Sequence, residues 1–171
     1  MADRQKHLSH KAQIDLGSFY TPDELVKKSF DLIKRNVGCA NGYTLVDTSC
    51  GYGSFLINNS FCRIIGADID AMAVKQAQKN TQNVDFIVSN SLKDVSRNKF
   101  NIDANEKIII VGNPPYNDTT SIIRQDTKDK SVADGIDRDI KTRDLGMSFM
   151  LSYDKLKADY VCVLHPLSYL I

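Results

Sequence analysis

Residues 113–116 read Asn-Pro-Pro-Tyr and follow directly on the apolar run Ile108-Ile109-Ile110-Val111-Gly112. The Asn113 carboxamide oxygen accepts hydrogen bonds without carrying a charge. Pro114 keeps its carbonyl but has no N–H, and Pro114 and Pro115 together fix two φ angles. Asn113 and Pro114 can therefore offer two rigidly placed acceptors to the two hydrogens of one planar NH2 group. Tyr116 supplies a ring to stack on that group. A conjugated nitrogen held this way is drawn toward pyramidal geometry, which frees its lone pair to attack a methyl sulfonium. Its proton can leave after the methyl arrives, so no general base has to act first. The chemistry is positioning and electrostatics. The plain alternative is a proline-rich turn.

Three other features carry chemistry. Asp47-Thr48-Ser49-Cys50-Gly51-Tyr52-Gly53 is a glycine turn after an apolar segment, where Gly51 and Gly53 permit close backbone approach to a ligand. It lacks the Lys of a phosphate loop and the third Gly of a dinucleotide loop. A methyl donor with a carboxylate and no phosphate needs neither, and a purely structural turn stays open. In "GADID", Asp68 stands about 20 residues after the glycine turn, where an acid accepts from ribose hydroxyls; a helix cap is the alternative. Ile69 can pack on an adenine face, and Asp70 reads as the cap of the next helix. In "VSNSL", Asn90 can bond the edge of an adenine or simply hold a turn.

These residues need elements that bring them together. Thr21-Pro22-Asp23-Glu24 reads as a capping box, and Leu25, Val26, Leu32 and Ile33 recur at helical spacing up to Asn36 and Gly38. "YTLVD" reads as a strand, followed by the glycine turn and a helix whose free N–H groups face a ligand. "FCRIIGADIDAMAVKQAQKN" repeats strand and helix. "NVDFIVSNSL" and "EKIIIVGNPPY" give a third and a fourth strand. "DLGMSFMLSYDKLK" is a helix with Leu145, Phe149 and Leu156 near one face, and "ADYVCVLHPLSYLI" opens with a fifth strand. Strands alternating with helices predict an α/β, doubly wound, mostly parallel sheet. In such a sheet ligands bind beyond the carboxyl ends of the strands, where all four features fall.

Residues 1–16 form a polar arm, with His7, His10 and Lys11 in it, and residues 17–171 one domain. Residues 117–143 are polar and charged without a period, so they are either a functional loop or a solvated one. His165 reads as a packed histidine and Cys50 as a small buried filler. The apolar end at Tyr169-Leu170-Ile171 reads as a cut after the fifth strand, an edge that would otherwise be an open template.

The charges nearly cancel, with Lys+Arg 22 against Asp+Glu 21, so there is no overall basic footprint for nucleic acid. Cys39, Cys50, Cys62 and Cys162 have no CxxC spacing and read as reduced, cytoplasmic thiols. The N-terminus has no apolar signal core. No stretch reaches the roughly 18 apolar residues of a membrane helix. No metal site is expected.

On the residues quoted, the chain resembles the adenine-N6 DNA methyltransferases that use S-adenosylmethionine. Asn113-Pro114-Pro115-Tyr116 matches their catalytic NPPY motif. Residues 47–53 match the methionine-binding motif, with Thr48 in place of the usual Pro. Asp68 falls on the ribose-binding acid, and Asn90 where the family usually has Asp for the adenine amino group. Phe19-Tyr20-Thr21-Pro22 matches the segment that walls the methionine end of the cofactor. Residues 144–149 and "VLHPLSYL" resemble later, weaker motifs.

The resemblance implies a Rossmann-like methyltransferase fold with strand order 3-2-1-4-5, truncated after the fifth strand and lacking a target recognition domain. It implies S-adenosylmethionine as cofactor and an adenine flipped from double-stranded DNA as substrate. Asn113, Pro114, Pro115 and Tyr116 would then be catalytic. Phe19, Tyr20, Thr21, Pro22, Asp47, Thr48, Gly51, Gly53, Asp68, Ile69, Asn90 and Asn113 would hold the cofactor. A fused or separate target recognition domain and a restriction nuclease are implied partners, and the isolated chain is expected to bind cofactor at best. Lys128, Lys130, Arg138, Lys141 and Arg143 are candidate phosphate contacts. The NPPY chemistry also serves enzymes that methylate a glutamine side chain in protein release factors. Guanine methylation in RNA and a non-catalytic cofactor-binding module are further alternatives.

Overall fold

The computed structural model describes residues 21–57, 60–116 and 135–166. The elements in chain order are α1 (Asp23–Val37), β1 (Thr44–Asp47), β2 (Arg63–Asp68), α2 (Ala71–Asn80), β3 (Asp85–Val88), a short 3-10 turn (Asn98–Phe100), β4 (Ile108–Gly112), α3 (Leu145–Lys155) and β5 (Tyr160–Val163). The five strands form one sheet in the order β3-β2-β1-β4-β5, and every pairing is parallel. This is the doubly wound order expected from the sequence.

The alternation along each central strand explains the layers. Leu45, Ile64, Ile109 and Val111 point to one face, where Val26 and Ile33 of α1 cover them together with Phe55, Leu56 and Phe61. Val46, Ile65, Ile108 and Ile110 point to the other, against Leu145, Phe149, Tyr153 and Leu156 of α3 and its C-terminal end. Side chains from Ile108 to Val111 are completely buried. Each such residue stabilises the fold by about 1.5–3 kcal/mol relative to exposure. A four-residue apolar run without polar alternation is what a strand covered on both faces requires.

Local signals held in part. Asp70 caps α2, accepting from Met72 N–H at 2.8 Å, and Asp144 caps α3, accepting from Met147 N–H at 3.0 Å. Gly38 ends α1 at φ +75°. The start of α1 differs from the expected capping box. Pro22 is in extended conformation and the helix begins at Asp23 with no side-chain cap, while Thr21 is buried. Leu25 and Leu32 stay largely exposed, leaving Val26 and Ile33 to make the contact. Among the described residues, the helix expected after the glycine turn does not form: residues 51–57 form successive turns. Gly51 at φ +50° and Gly53 at φ +82° are left-handed, which interrupts helical winding. Three-residue closures result, Gly53 N–H to Cys50 O at 2.8 Å and Leu56 N–H to Gly53 O at 2.9 Å.

The arm at 1–16, Phe19, Tyr20, residues 117–134 with Lys128 and Lys130, and the apolar end at 169–171 lie outside the described residues. Of the expected loop, residues 135–143 are described, and they are docked on the domain. Ile136 and Ile140 enter the core beside α3. The Asp137 carboxylate accepts from Asp94 N–H at 2.7 Å, Val95 N–H at 2.9 Å and the Lys155 ammonium at 3.0 Å. Asp137 therefore pins this segment down, and only Arg138, Lys141 and Arg143 of the candidate phosphate contacts are seen, all on the surface.

Candidate active site

The carboxyl ends of β1, β2, β3 and β4 bring the sequence-predicted residues to one edge. Asp68 closes β2 and binds the glycine turn: Gly51 N–H donates to its Oδ2 at 2.8 Å, and Asp70 N–H donates to its Oδ1 at 2.9 Å. The helix cap next to it is Asp70, so Asp68 has no capping duty. Burial pushes its carboxyl up, while the Asp70 and Gly51 N–H groups oppose that rise. Next to Asp68, Ile69 leaves 47% of its surface exposed, an apolar platform at the strand end.

Asp47 sits underneath the glycine turn and does not face out of it; it is 1% exposed. Its Oδ1 accepts from Ser49 N–H at 3.1 Å. Burial lifts its carboxyl to about 8, with the Ser49 bond opposing and the Asp68 charge adding to the rise. On its other side stands Gly112, the last residue before the NPPY segment. Gly112 has φ +148°, and a Cβ there would lie 2.8 Å from Asp47 Oδ1. Asp47 thus joins the floor of the glycine turn to the root of the NPPY segment. Thr48 is buried too, facing the Tyr153 phenol of α3, while its carbonyl accepts from the Ser91 hydroxyl at 2.6 Å. Gly53 packs on α2, where a Cβ would meet Ala77 and Thr81 at 3.3 Å each.

Asn90 closes β3 with its carboxamide engaged on the chain at both ends. Its Oδ1 accepts from Leu92 N–H and its Nδ2 donates to Gly135 O, each at 3.0 Å. In this arrangement the amide ties the segment after the long insert to the end of β3, a task that an adenine contact would have to share.

At the end of β4, Pro114 is buried, and Asn113, Pro115 and Tyr116 are half-buried. The Tyr116 hydroxyl donates to Asn113 Oδ1, so the acceptor is occupied by the segment's own ring. The other face of the gate is His165, which the sequence reading set aside. Its ring centroid lies 6.0 Å from that of Tyr116 at 47°. The signal was topological: β5 pairs with β4, with Gly112 opposite Val163, so residues just beyond β5 come beside residues 113–116.

Whether a cofactor fits this edge can be judged from its buried polar atoms. The Ser49 and Ser89 hydroxyls, after β1 and β3, are shielded from solvent and have no hydrogen-bond partner among the described residues. Buried hydroxyls normally find partners. Two without one flank Asp68 and the exposed Ile69, as expected where a ligand with ribose hydroxyls, a carboxylate and a flat base completes the bonding. Sequence reasoning missed both serines, because a serine after a strand has no distinguishing pattern. No group of three or more His, Cys, Asp or Glu side chains able to hold a metal occurs among the described residues.

A family model described as N-6 DNA Methylase matches residues 6–170. The chain belongs to that family. Its cofactor is S-adenosylmethionine, and its fold is that of the S-adenosylmethionine-dependent methyltransferases. Similar solved structures include a class I S-adenosylmethionine-dependent methyltransferase from Listeria monocytogenes (TM-score 0.64, 14% identity, 96% of this chain and 50% of that one). A type I restriction-modification methyltransferase subunit from Streptococcus thermophilus is similar (TM-score 0.54, 20% identity, 82% of this chain and 32% of that one). So is a modification subunit of a type I restriction enzyme from Vibrio vulnificus YJ016 (TM-score 0.53, 19% identity, 85% and 32%). The chain thus spans about a third to a half of the length of these structures. No curated protein sequence matches it. None of the helices described is long and apolar enough to cross a membrane.

Proposed function

We propose that this methylase domain transfers the methyl group of S-adenosylmethionine to the N6 amino group of an adenine turned out of double-stranded DNA, in a restriction-modification setting. The observation that carries the reading is the Asn113–Tyr116 gate at the end of β4, joined through Gly112 and Asp47 to the glycine turn that Asp68 holds. The bound cofactor supplies an electrophilic methyl on a sulfonium. Asp68 accepts from its ribose, Ile69 supports its base, and Ser49 and Ser89 offer their hydroxyls to its polar groups. Asp47 and Thr48 act beneath the turn, setting its shape. Phe19, Tyr20, Thr21 and Pro22 wall the methionine end.

At the gate, the target amine takes over Asn113 Oδ1 from the Tyr116 hydroxyl and gives its second hydrogen to the Pro114 carbonyl. Tyr116 is then released to stack on the base. With both N–H bonds held, the nitrogen lone pair turns toward the methyl, and the proton leaves after transfer. Two acceptors without charge suit an amine that becomes briefly cationic, since an unpaired carboxylate would cost far more to bury. A target recognition domain would supply most of the DNA contact, with a nuclease as fused or separate partner. Substituting Asn113→Ala in the full-length protein tests the reading. Transfer to DNA should fall at least about a hundredfold, the range for removing a group that stabilises only the transition state, with cofactor affinity retained. Transfer at the wild-type rate would refute it.

A further inference from the structure

We infer that His165 is a positioning residue whose ring holds Tyr116 at the gate, so that the two rings together favour a flat nucleobase amine over an aliphatic carboxamide. This rests on the proposed function and adds the element that selects the substrate class. The argument starts from the sheet. β5 lies beside β4, and Leu164 N–H donates to Gly112 O at 2.9 Å, which brings residue 165 alongside the gate. There the imidazole meets the Tyr116 ring at 6.0 Å and 47°, a tilted aromatic pair.

Tyr116 has two described ties, its hydroxyl on Asn113 Oδ1 and its ring against His165. The proposed chemistry removes the first, because the target amine needs that oxygen. His165 is then the tie that keeps the Tyr116 ring oriented during transfer. A glutamine side chain offers such a pair only the small plane of its carboxamide, and a purine offers two fused rings. The imidazole suits the task as a neutral ring: burial holds it below the usual histidine range, with the Asp144 charge at the N-terminus of α3 pulling the other way.

The experiment compares full-length wild-type protein with His165→Ala, His165→Gln and His165→Phe, using labelled S-adenosylmethionine and unmethylated DNA. Calorimetry gives cofactor affinity, and initial rates give kcat and KM. The expected result is cofactor affinity within about twofold in every variant, with kcat lowered about two- to tenfold in the Ala and Gln variants. Phe at 165 should restore kcat to within about twofold, since a ring without a charge suffices.

Wild-type kcat in His165→Ala, or Phe at 165 as slow as Ala, would overturn the inference. So would a loss of cofactor affinity matching the loss of rate. Failure of the underlying reading is separate: it shows in the wild-type protein, as label in a protein glutamine and none in DNA, and the selection claim falls with it.

Discussion

Replacing Asp47 by Asn removes a charge site without changing shape. The wild-type carboxyl is 1% exposed and lifted from 3.8 to about 8, chiefly by burial. The folded protein therefore binds this proton more tightly than the unfolded chain. Between about pH 4 and pH 8 the folded state carries more protons, so stability falls as pH rises through that window. Lifting the group from 3.8 to about 8 sets a ceiling of roughly 6 kcal/mol on the loss. Even a quarter of that ceiling would move a urea midpoint by about 0.5–1.5 M. An Asn amide oxygen can still accept from Ser49 N–H, and its neutral form is indifferent to pH. Urea unfolding at pH 5.5 and pH 8.5 at constant ionic strength provides the assay. The Asn variant should gain on the wild type as pH rises. Parallel pH dependence, with a gap constant to within about 0.5 kcal/mol, would refute the placement of a buried ionisable acid beneath the glycine turn.

Gly112→Ala would set a Cβ 2.8 Å from Asp47 Oδ1 at a φ of +148°, so it should destabilise by about 1–3 kcal/mol and slow transfer by displacing Asn113; a thermal melt unchanged from wild type would contradict this. Asp68→Ala removes the acceptor of two backbone N–H groups and the ribose acceptor, and calorimetry should show cofactor binding weaker by about 1–3 kcal/mol. Unchanged affinity would return Asp68 to a purely structural role. Asn90→Asp puts a carboxylate oxygen against the Gly135 carbonyl in place of a donor, and should speed hydrogen exchange over residues 135–140; equal protection would show that the tie contributes nothing.

The sheet was legible because β4 and its neighbours are continuous apolar runs separated by helical periods, and parallel order leaves few ways to arrange them. The segment Asn113–Tyr116 stood out as a candidate site because two prolines directly after an apolar strand fix the backbone at the edge of the sheet where ligands bind. The helix after the glycine turn was misread because two left-handed glycines override the apolar spacing of Phe55 and Leu56. The spacing of Leu25, Val26, Leu32 and Ile33 showed the helix but not that only Val26 and Ile33 are covered, because a period does not tell how wide the covered stripe is. Residues 135–143 read as polar because only Ile136 and Ile140 carry the docking, while Asp137 spends its charge on backbone N–H groups that no pattern announces. His165 escaped because its meaning lies in the neighbouring strand and in no local motif.

The most direct test of the account identifies the methylated product. Full-length protein is incubated with labelled S-adenosylmethionine, unmethylated DNA and a protein release factor, the DNA is digested to nucleosides and the protein to peptides, and the label is assigned. The Asn113–Tyr116 gate predicts N6-methyladenine. Label absent from DNA and present on a protein glutamine would contradict the account.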